Sequence, residues 1–314
     1  MKRKKKKIYF IINPVSGTKS KKGLPEKTMM LDPHDFDVHM FMTGYEGHAS
    51  QIAKDAVENN IDYVIAVGGD GTINEVARML VDTDVIFGII PSGSGNGLAR
   101  ELHIPMDHEQ AIEIIRQNNV KKIDYGIAND NIFFCTCGVG FDAEVSEKVL
   151  NQSSRGKLMY AKSMIDVFYN FKPQKYKVTT ADTTFNEEAF LVTCANASQY
   201  GNDSFIAPHA DIQDGMMNIA ILKPLSVLNV PQTAIQLMSK NIENNSKLVE
   251  IITPEVLIER EKEGVMHLDG TAIQTGKEIS VRIVNRGLNV LVPNEIPKTG
   301  FDAQSFFTNI TRWI

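Results

Sequence analysis

An α/β domain followed by a mostly antiparallel β-sandwich domain is the architecture the sequence predicts. Three observations carry that expectation. The chain has 314 residues, and at roughly 150 residues per domain the prior is two domains. Up to about residue 125, short apolar stretches alternate with segments of helical spacing, the pattern of βαβ units and a parallel sheet. Beyond Asp124, strand candidates follow one another with turns between, as in a sandwich or barrel.

In order, 8–13 is an apolar strand ended by Asn13-Pro14, 36–42 alternates, and 49–59 has helical spacing. A buried-strand pattern at 63–67 runs into Gly68-Gly69, 74–81 reads as a helix, and 87–90 is a short strand ending at Pro91. A helix at 109–118 and an extended segment at 120–127 complete the first half. Strands are then expected at 132–138, 176–180, 189–196, 217–222, 249–252, 256–259, 265–268, 279–284 and 288–292, interrupted by helices at 143–150, 158–171 and 227–244. The change of texture puts the domain change near 125–130.

Composition narrows the function classes. Hydrophobic residues make up 43% and charged residues 23%, as in ordinary globular proteins. No apolar run approaches the ~18 residues a spanning helix needs, and only 8–12 is strand-like after the basic start, too short for a signal peptide. Three cysteines, Cys135, Cys137 and Cys194, cannot make a disulfide framework, so a cytoplasmic location is expected. Taking the six cations Lys2, Arg3, Lys4, Lys5, Lys6 and Lys7 from the net charge of −5 leaves −11 for the rest. An acidic body argues against a nucleic-acid groove. The basic tip is either an attraction to anionic membranes, at roughly 1 kcal/mol per basic residue, or a solvated tail.

Ligands of open α/β sheets bind at the carboxyl ends of the strands, and three such ends carry glycine-rich turns. They are Asn13-Pro14-Val15-Ser16-Gly17, then Gly68-Gly69-Asp70-Gly71-Thr72 with Asn74-Glu75, and Pro91-Ser92-Gly93-Ser94-Gly95-Asn96-Gly97. Glycine lets the backbone approach a phosphate and aim N–H groups at it, and a following helix adds its dipole. Three on one face point to a phosphate site, although neither a Walker A loop nor GxGxxG is present. Asp70 adds a carboxylate beside the phosphates, which suits a metal ion or a base for an incoming hydroxyl.

GGDGTINEV at 68–76, NPVSG at 13–17 and PSGSGNGLAR at 91–100 together resemble the diacylglycerol kinase catalytic domain, with bacterial soluble lipid kinases as close relatives and sphingosine kinases as distant ones. KIDYG at 122–126, GVGFD at 138–142, DGM at 214–216 and LDG at 268–270 extend the resemblance over nearly the whole chain. It implies an NAD kinase/diacylglycerol kinase-like fold, divided into an α/β ATP-binding domain (1–127 plus 295–314) and a β-sandwich lipid-binding domain (128–294), with the cleft between. It implies ATP-dependent transfer of phosphate to a lipid hydroxyl, foremost that of diacylglycerol, at the membrane surface. Asn13, Pro14, Ser16, Gly17, Thr43, Gly69, Asp70, Gly71, Thr72, Asn74, Glu75, Ser94 and Asp124 are implied to hold ATP, and Asp70 and Asp124 to sit near the metal–phosphate network. Mg²⁺ is implied at Asp214, with Asp211 and Met216 contributing oxygens. Asp269 is the implied general base, with Asp70 the other candidate.

Two departures from the resemblance stand out. Many bacterial members have Asp-Gly-Glu where this chain has Asp269-Gly270-Thr271, and Asn-Asp where it has Asn96-Gly97. The small residue at 97 is similar to sphingosine kinases. A sphingoid-base or ceramide kinase and a nucleotide-binding regulator without kinase activity are therefore the alternatives; Asn74-Glu75 and the third loop argue against an NAD kinase. Cys135 and Cys137 read as buried strand cysteines rather than metal ligands, and His48 reads as a capping or surface residue. Phe301, Phe306, Phe307, Ile310, Trp313 and Ile314 give the end of the chain one apolar helical face, which suits a tail packed on the protein or a membrane interface. The sequence leaves a homodimer open.

Overall fold

The computed structural model describes residues 5–17, 23, 26, 28, 31–150, 157–201 and 203–295, with 157–161 described by backbone alone. The expected returning tail at 296–314 and Lys2, Arg3 and Lys4 lie outside the described residues.

The first half is built as its alternation predicts. Strands β1 (Lys6–Ile12), β2 (Phe36–Met42), β3 (Tyr63–Gly68) and β4 (Ile86–Pro91) pair in parallel in the order β2-β1-β3-β4. Every residue of β3 is buried, as a strand covered on both faces requires. Helices α1 (His48–Glu58), α2 (Asp70–Leu80), α3 (Gly97–Glu101) and α4 (His108–Gln117) accompany them. Helix α2 buries Ile73, Val76, Ala77 and Leu80, spaced i, i+3, i+4, i+7.

The second half contributes β5 (Val120–Ala128), β6 (Asn131–Phe133), β7 (Thr136–Gly140), α5 (Phe141–Leu150), α6 (Lys157–Asn170), β8 (Gln174–Thr179), β9 (Thr184–Ala189) and β10 (Leu191–Ala195). It continues with β11 (Gln199–Gly201), β12 (Ser204–Phe205), β13 (Met217–Leu222), α7 (Val230–Met238), β14 (Leu248–Thr253), β15 (Glu255–Arg260), β16 (Gly264–Leu268), β17 (Thr271–Thr275) and β18 (Glu278–Leu291). A six-stranded antiparallel sheet, β14-β13-β10-β7-β16-β17, faces the antiparallel part of a ten-stranded sheet, β18-β15-β8-β9 with β5 and β6. Val192, Ile219, Val139 and Met266 from the first meet Val178, Ile258 and Val281 from the second in one core. The sandwich is therefore as expected, but its larger sheet is continuous with the parallel strands. Strand β18 makes the join: it is antiparallel to β15 and β5 and parallel to β4 through Val290 and Phe87.

Several boundaries differ from the sequence reading for physical reasons. The strand expected at 132–138 divides into β6 and β7, because the N–H groups of Phe134, Cys135 and Thr136 turn to the Asp269 carboxylate. The strands expected at 279–284 and 288–292 are one, with a register shift between Val284 and Leu288 and Arg286 at φ 54°. Leu288, Val290, Leu291 and Val292 pack in the first core, so residues assigned to the second domain by a boundary at 294 belong physically to the first. Helix α2 starts at Asp70 rather than 74, since glycines at a helix start read as loop. The helix expected at 227–244 ends at Met238, before Lys240 at φ 59°.

The basic tip is partly structural. Lys6 and Lys7 lie in β1; the Lys6 ammonium donates to the Tyr63 hydroxyl at 2.6 Å and sits 5.0 Å from that ring's centre. This is the amino end of β1, opposite the glycine loops. Among the described residues no helix is long and apolar enough to cross a membrane.

Candidate active site

The three glycine loops lock onto one another. A Cβ on Gly17, at φ +66°, would fall 1.6 Å from the Ser92 carbonyl oxygen, so loop one lies against loop three. A Cβ on Gly69 would fall 3.2 Å from the Gly93 Cα. The Asn13 amide donates to the Thr72 hydroxyl at 2.9 Å, and Ser16 bonds back to the Asn13 carbonyl. Asn96, at φ 54°, accepts from the Gly93 N–H and donates to the Gly93 carbonyl, both at 2.9 Å, which closes loop three on itself. Asp70 completes the lock: its carboxylate accepts the Asn96 N–H at 2.8 Å and the Gly97 N–H at 2.7 Å.

These contacts sort the glycines by role. Gly17, Gly69 and Gly93 are needed for loop-to-loop packing. Gly71 alone of the second loop has open space where a Cβ would stand, and it is exposed. Helix α2 has Gly69 as its N-cap without a side-chain cap. The N–H groups of its first turn, Asp70, Gly71 and Thr72, have no intrahelical acceptor and suit an anion. If the second loop is a phosphate cradle, Gly71→Ala is expected to keep the melting temperature within a few degrees while weakening ATP binding about tenfold or more, because its methyl group would intrude on the phosphate. Gly17→Ala should destabilise the fold by about 1–3 kcal/mol or more. Calorimetric titration beside thermal melting separates the two, and unchanged ATP affinity in Gly71→Ala would remove the second loop as the cradle.

The second domain closes the cleft. Asp70, Asn74, Gly97 and Leu98 line one side, and Phe134, Cys135, Thr136, Tyr200 and Asp269 the other. The structure thus brings the two catalytic candidates, Asp70 and Asp269, to one cleft. Asp269 stands at φ 49° in the turn between β16 and β17. Its Oδ1 accepts the N–H groups of Cys135 (2.7 Å) and Thr136 (3.0 Å), and Oδ2 that of Phe134 (2.8 Å). Burial raises the carboxyl above its ordinary range, against the lowering effect of these three donors. The Cys135 thiol is pushed well up by burial, with Asp269, Glu101 and Asp70 adding to the effect, so it stays protonated.

Asp124 is elsewhere. It is fully buried on β5, and it accepts the Gly215 and Arg286 N–H groups, both at 2.6 Å, rather than bonding the glycine loops. Asp211 and Asp214 stand on the exposed turn around Gly215, where Asp214 accepts the Met216 N–H at 2.8 Å. Burial raises the Asp124 carboxyl, the two N–H donors lower it, and the charges of Asp214 and Asp211 raise it again. Asp211 and Asp214, implied as metal ligands, thus share one exposed turn, and Asp124, implied as a nucleotide ligand, is buried on β5 beneath it. Ser94 is exposed at the rim, Thr43 is half-buried at the end of β2, and the Glu75 carbonyl accepts from Ser50. His48 stacks on Tyr45 at 4.6 Å and accepts the Gly44 N–H, a local role.

A buried polar group behind the cleft escaped the sequence reading. Asp142 Oδ2 accepts from Thr193 Oγ1 (2.6 Å), Tyr200 OH (3.1 Å) and His267 Nε2 (3.1 Å). Asp142 was visible only as part of GVGFD, and His267 matched no ligand spacing. The signal that could have found them is a polar residue alternating with buried apolar ones on β16, Met266-His267-Leu268. The group fixes Tyr200, which walls the cleft.

Comparison with known proteins agrees with this arrangement. Residues 7–128 match the diacylglycerol kinase catalytic domain, and residues 135–292 match the YegS C-terminal NAD kinase beta sandwich-like domain. The chain is 28% identical over 300 residues to a diacylglycerol kinase of Bacillus subtilis, covering 92% of this chain and 97% of that one. It is 26% identical over 281 residues to a Klebsiella pneumoniae protein named "Probable lipid kinase YegS-like", covering 87% and 92%. A crystal structure of a diacylglycerol kinase from Bacillus anthracis superposes with a TM-score of 0.73 at 21% identity, covering 93% of this chain and 99% of that one, and shares the fold. With interlocked glycine loops on one side of the cleft, a β-sandwich on the other and both halves matched in order, the chain belongs to the diacylglycerol kinase family of lipid kinases.

Proposed function

We propose that this lipid kinase transfers the γ-phosphate of ATP to a lipid hydroxyl, with diacylglycerol the foremost substrate. The observation that carries the reading is the meeting of Asp70, from the glycine-loop side, with Asp269, from the sandwich side, in one cleft. The first-turn N–H groups of α2 hold phosphate oxygens, and the interlocked loops keep those donors fixed, which suits a loose transition state that depends on positioning. Each oxygen of Asp70 accepts one N–H and keeps a lone pair; Asp269 keeps one on Oδ2 only. Asp70 is therefore the better acceptor for the hydroxyl proton, and Asp269 orients the lipid side of the cleft.

Gly97 stands close to both walls of the cleft, although a Cβ there would make only ordinary van der Waals contacts. A Cβ there would lie 3.4 Å from the Tyr200 carbonyl, 3.7 Å from the Cys135 sulfur and 3.8 Å from Asp70 Oδ1. Label from radioactive ATP should enter diacylglycerol in an extracted lipid mixture. Label in sphingoid bases alone would move the substrate class, and none in any lipid would overturn the reading.

Mg²⁺ suits the exposed turn of Asp211, Asp214 and Met216, where it would offset the repulsion of the two carboxylates and of the buried Asp124 beneath them. Among the described residues no three His, Cys, Asp or Glu side chains converge to hold a metal by themselves, so the ion would keep several waters, as Mg²⁺ commonly does. A carboxyl whose folded pKa is raised takes up protons on folding. Its contribution is fully present below the unfolded pKa and is lost as pH rises through the folded one. Stability should therefore fall through that window for Asp124, and Mg²⁺ should restore a few degrees of melting temperature above it. Asp214→Asn should abolish the Mg²⁺ increment; an equal increment in both proteins would exclude this turn.

A further inference from the structure

We infer that the outward face of α7 is the surface by which this protein rests on a lipid bilayer. The inference takes its choice of occupant from the lipid-kinase reading, but its test does not. Helix α7 turns only part of its apolar surface inward: Leu237 packs against a core and Val230 and Met238 are half-buried. Its one buried residue is polar: Thr233, whose hydroxyl bonds Asn229 and receives the Asn245 amide at 3.0 Å. Gln236 takes a second bond from Asn245 at 2.8 Å. The other side is apolar and faces water: Ile235 is 51% exposed, Pro231 and Ala234 are exposed, and the preceding Val227 and Leu228 are 65% and 89% exposed. Apart from Gln232, the outer strip is aliphatic and in water, which gives the helix the form of an interfacial one.

Charge and position select the partner. No charged residue lies between Lys223 and Lys240, and 223–247 holds three lysines and one glutamate, in a body that is otherwise strongly acidic. Lys223 is paired with Glu187 at 2.8 Å, which leaves Lys240 and Lys247 against Glu243, a small positive balance beside an uncharged aliphatic patch that suits an anionic lipid surface. The patch also adjoins the cleft. Helix α7 packs beside β12, and Lys240 lies 4.3 Å above the Phe205 ring of that strand. Strand β12 pairs with β11, which carries the cleft residue Tyr200 and packs on α3. A bilayer under α7 would therefore lie beside the cleft where a lipid hydroxyl has to enter.

The test is flotation of the full chain with vesicles of phosphatidylcholine mixed with phosphatidylglycerol. Leu228→Glu and Ile235→Glu, singly and together, should melt like the wild type, since both side chains are mostly in water. The pair should lower vesicle partitioning by about tenfold or more, while transfer to a short-chain diacylglycerol in detergent is unchanged. Leu257→Glu, an exposed position on the opposite sheet, should change nothing. Unchanged partitioning of the pair overturns the inference. So does a wild-type dimer that the pair converts to monomer without affecting vesicles, because a second copy then covers the face. Loss of vesicle binding in the pair upholds the inference even if the wild type phosphorylates no lipid, a result that would count only against the proposed function.

Discussion

Asp70→Asn is expected to cut phosphate transfer to lipid at least about 100-fold. A group that takes the hydroxyl proton supplies roughly 10²–10⁴ in rate, and Asp70 is the cleft carboxylate with a lone pair left on each oxygen. The substitution also has a structural effect. Asn offers one oxygen and one NH₂ where two N–H groups, of Asn96 and Gly97, now point. A donor facing a donor leaves one of them unsatisfied, at about 1–3 kcal/mol. The melting temperature should thus fall modestly while turnover nearly vanishes. Turnover close to wild type would remove Asp70 from the chemistry and leave it as the tie between the second and third loops.

The second large effect is on Asp269→Ala, and it is expected first in stability. Removing the carboxylate strands the N–H groups of Phe134, Cys135 and Thr136 beside buried strands, at about 1–3 kcal/mol each where water does not replace the partner. A fall in melting temperature well beyond that of a surface substitution should accompany loss of transfer. Asp269→Asn keeps one oxygen for Cys135 and Thr136 and should recover much of the stability. If it also recovers most of the turnover, Asp269 acts by holding the 134–136 segment in place. A folded Asp269→Asn protein with transfer lost would return it to the role of base.

The sequence made the parallel half legible almost strand by strand, because buried strands and amphipathic helices differ in period, and β3 and α2 show that difference cleanly. It made the glycine loops legible as a phosphate site but not what each glycine does. Gly17 and Gly69 answer to Ser92 and Gly93, which are distant in sequence, and only folding brings them together. Asp269 was legible as a carboxylate at a strand end, but not as a clasp on three N–H groups about 135 positions away in the chain. The Thr271 departure loses weight for a similar reason: it starts β17, exposed and paired with Leu268, and does not line the cleft. Asp142, Thr193, Tyr200 and His267 come from four separate segments, and no local pattern links them.

The single strand β18 makes the two halves mechanically one piece. Ile279 and Val281 are set in the sandwich core and Leu288 and Val290 in the other, so a large hinge opening would tear a ladder that both cores depend on. Any rocking of one half on the other has to be absorbed at Asn285, Arg286 and Gly287, where the register slips. That joint is gripped from several sides: Asp124 holds the Arg286 amide, the Gly287 carbonyl accepts the Asp82 N–H at 2.7 Å, and Asn285 lies against Gly215. The acidic turn therefore sits at the pivot of the molecule.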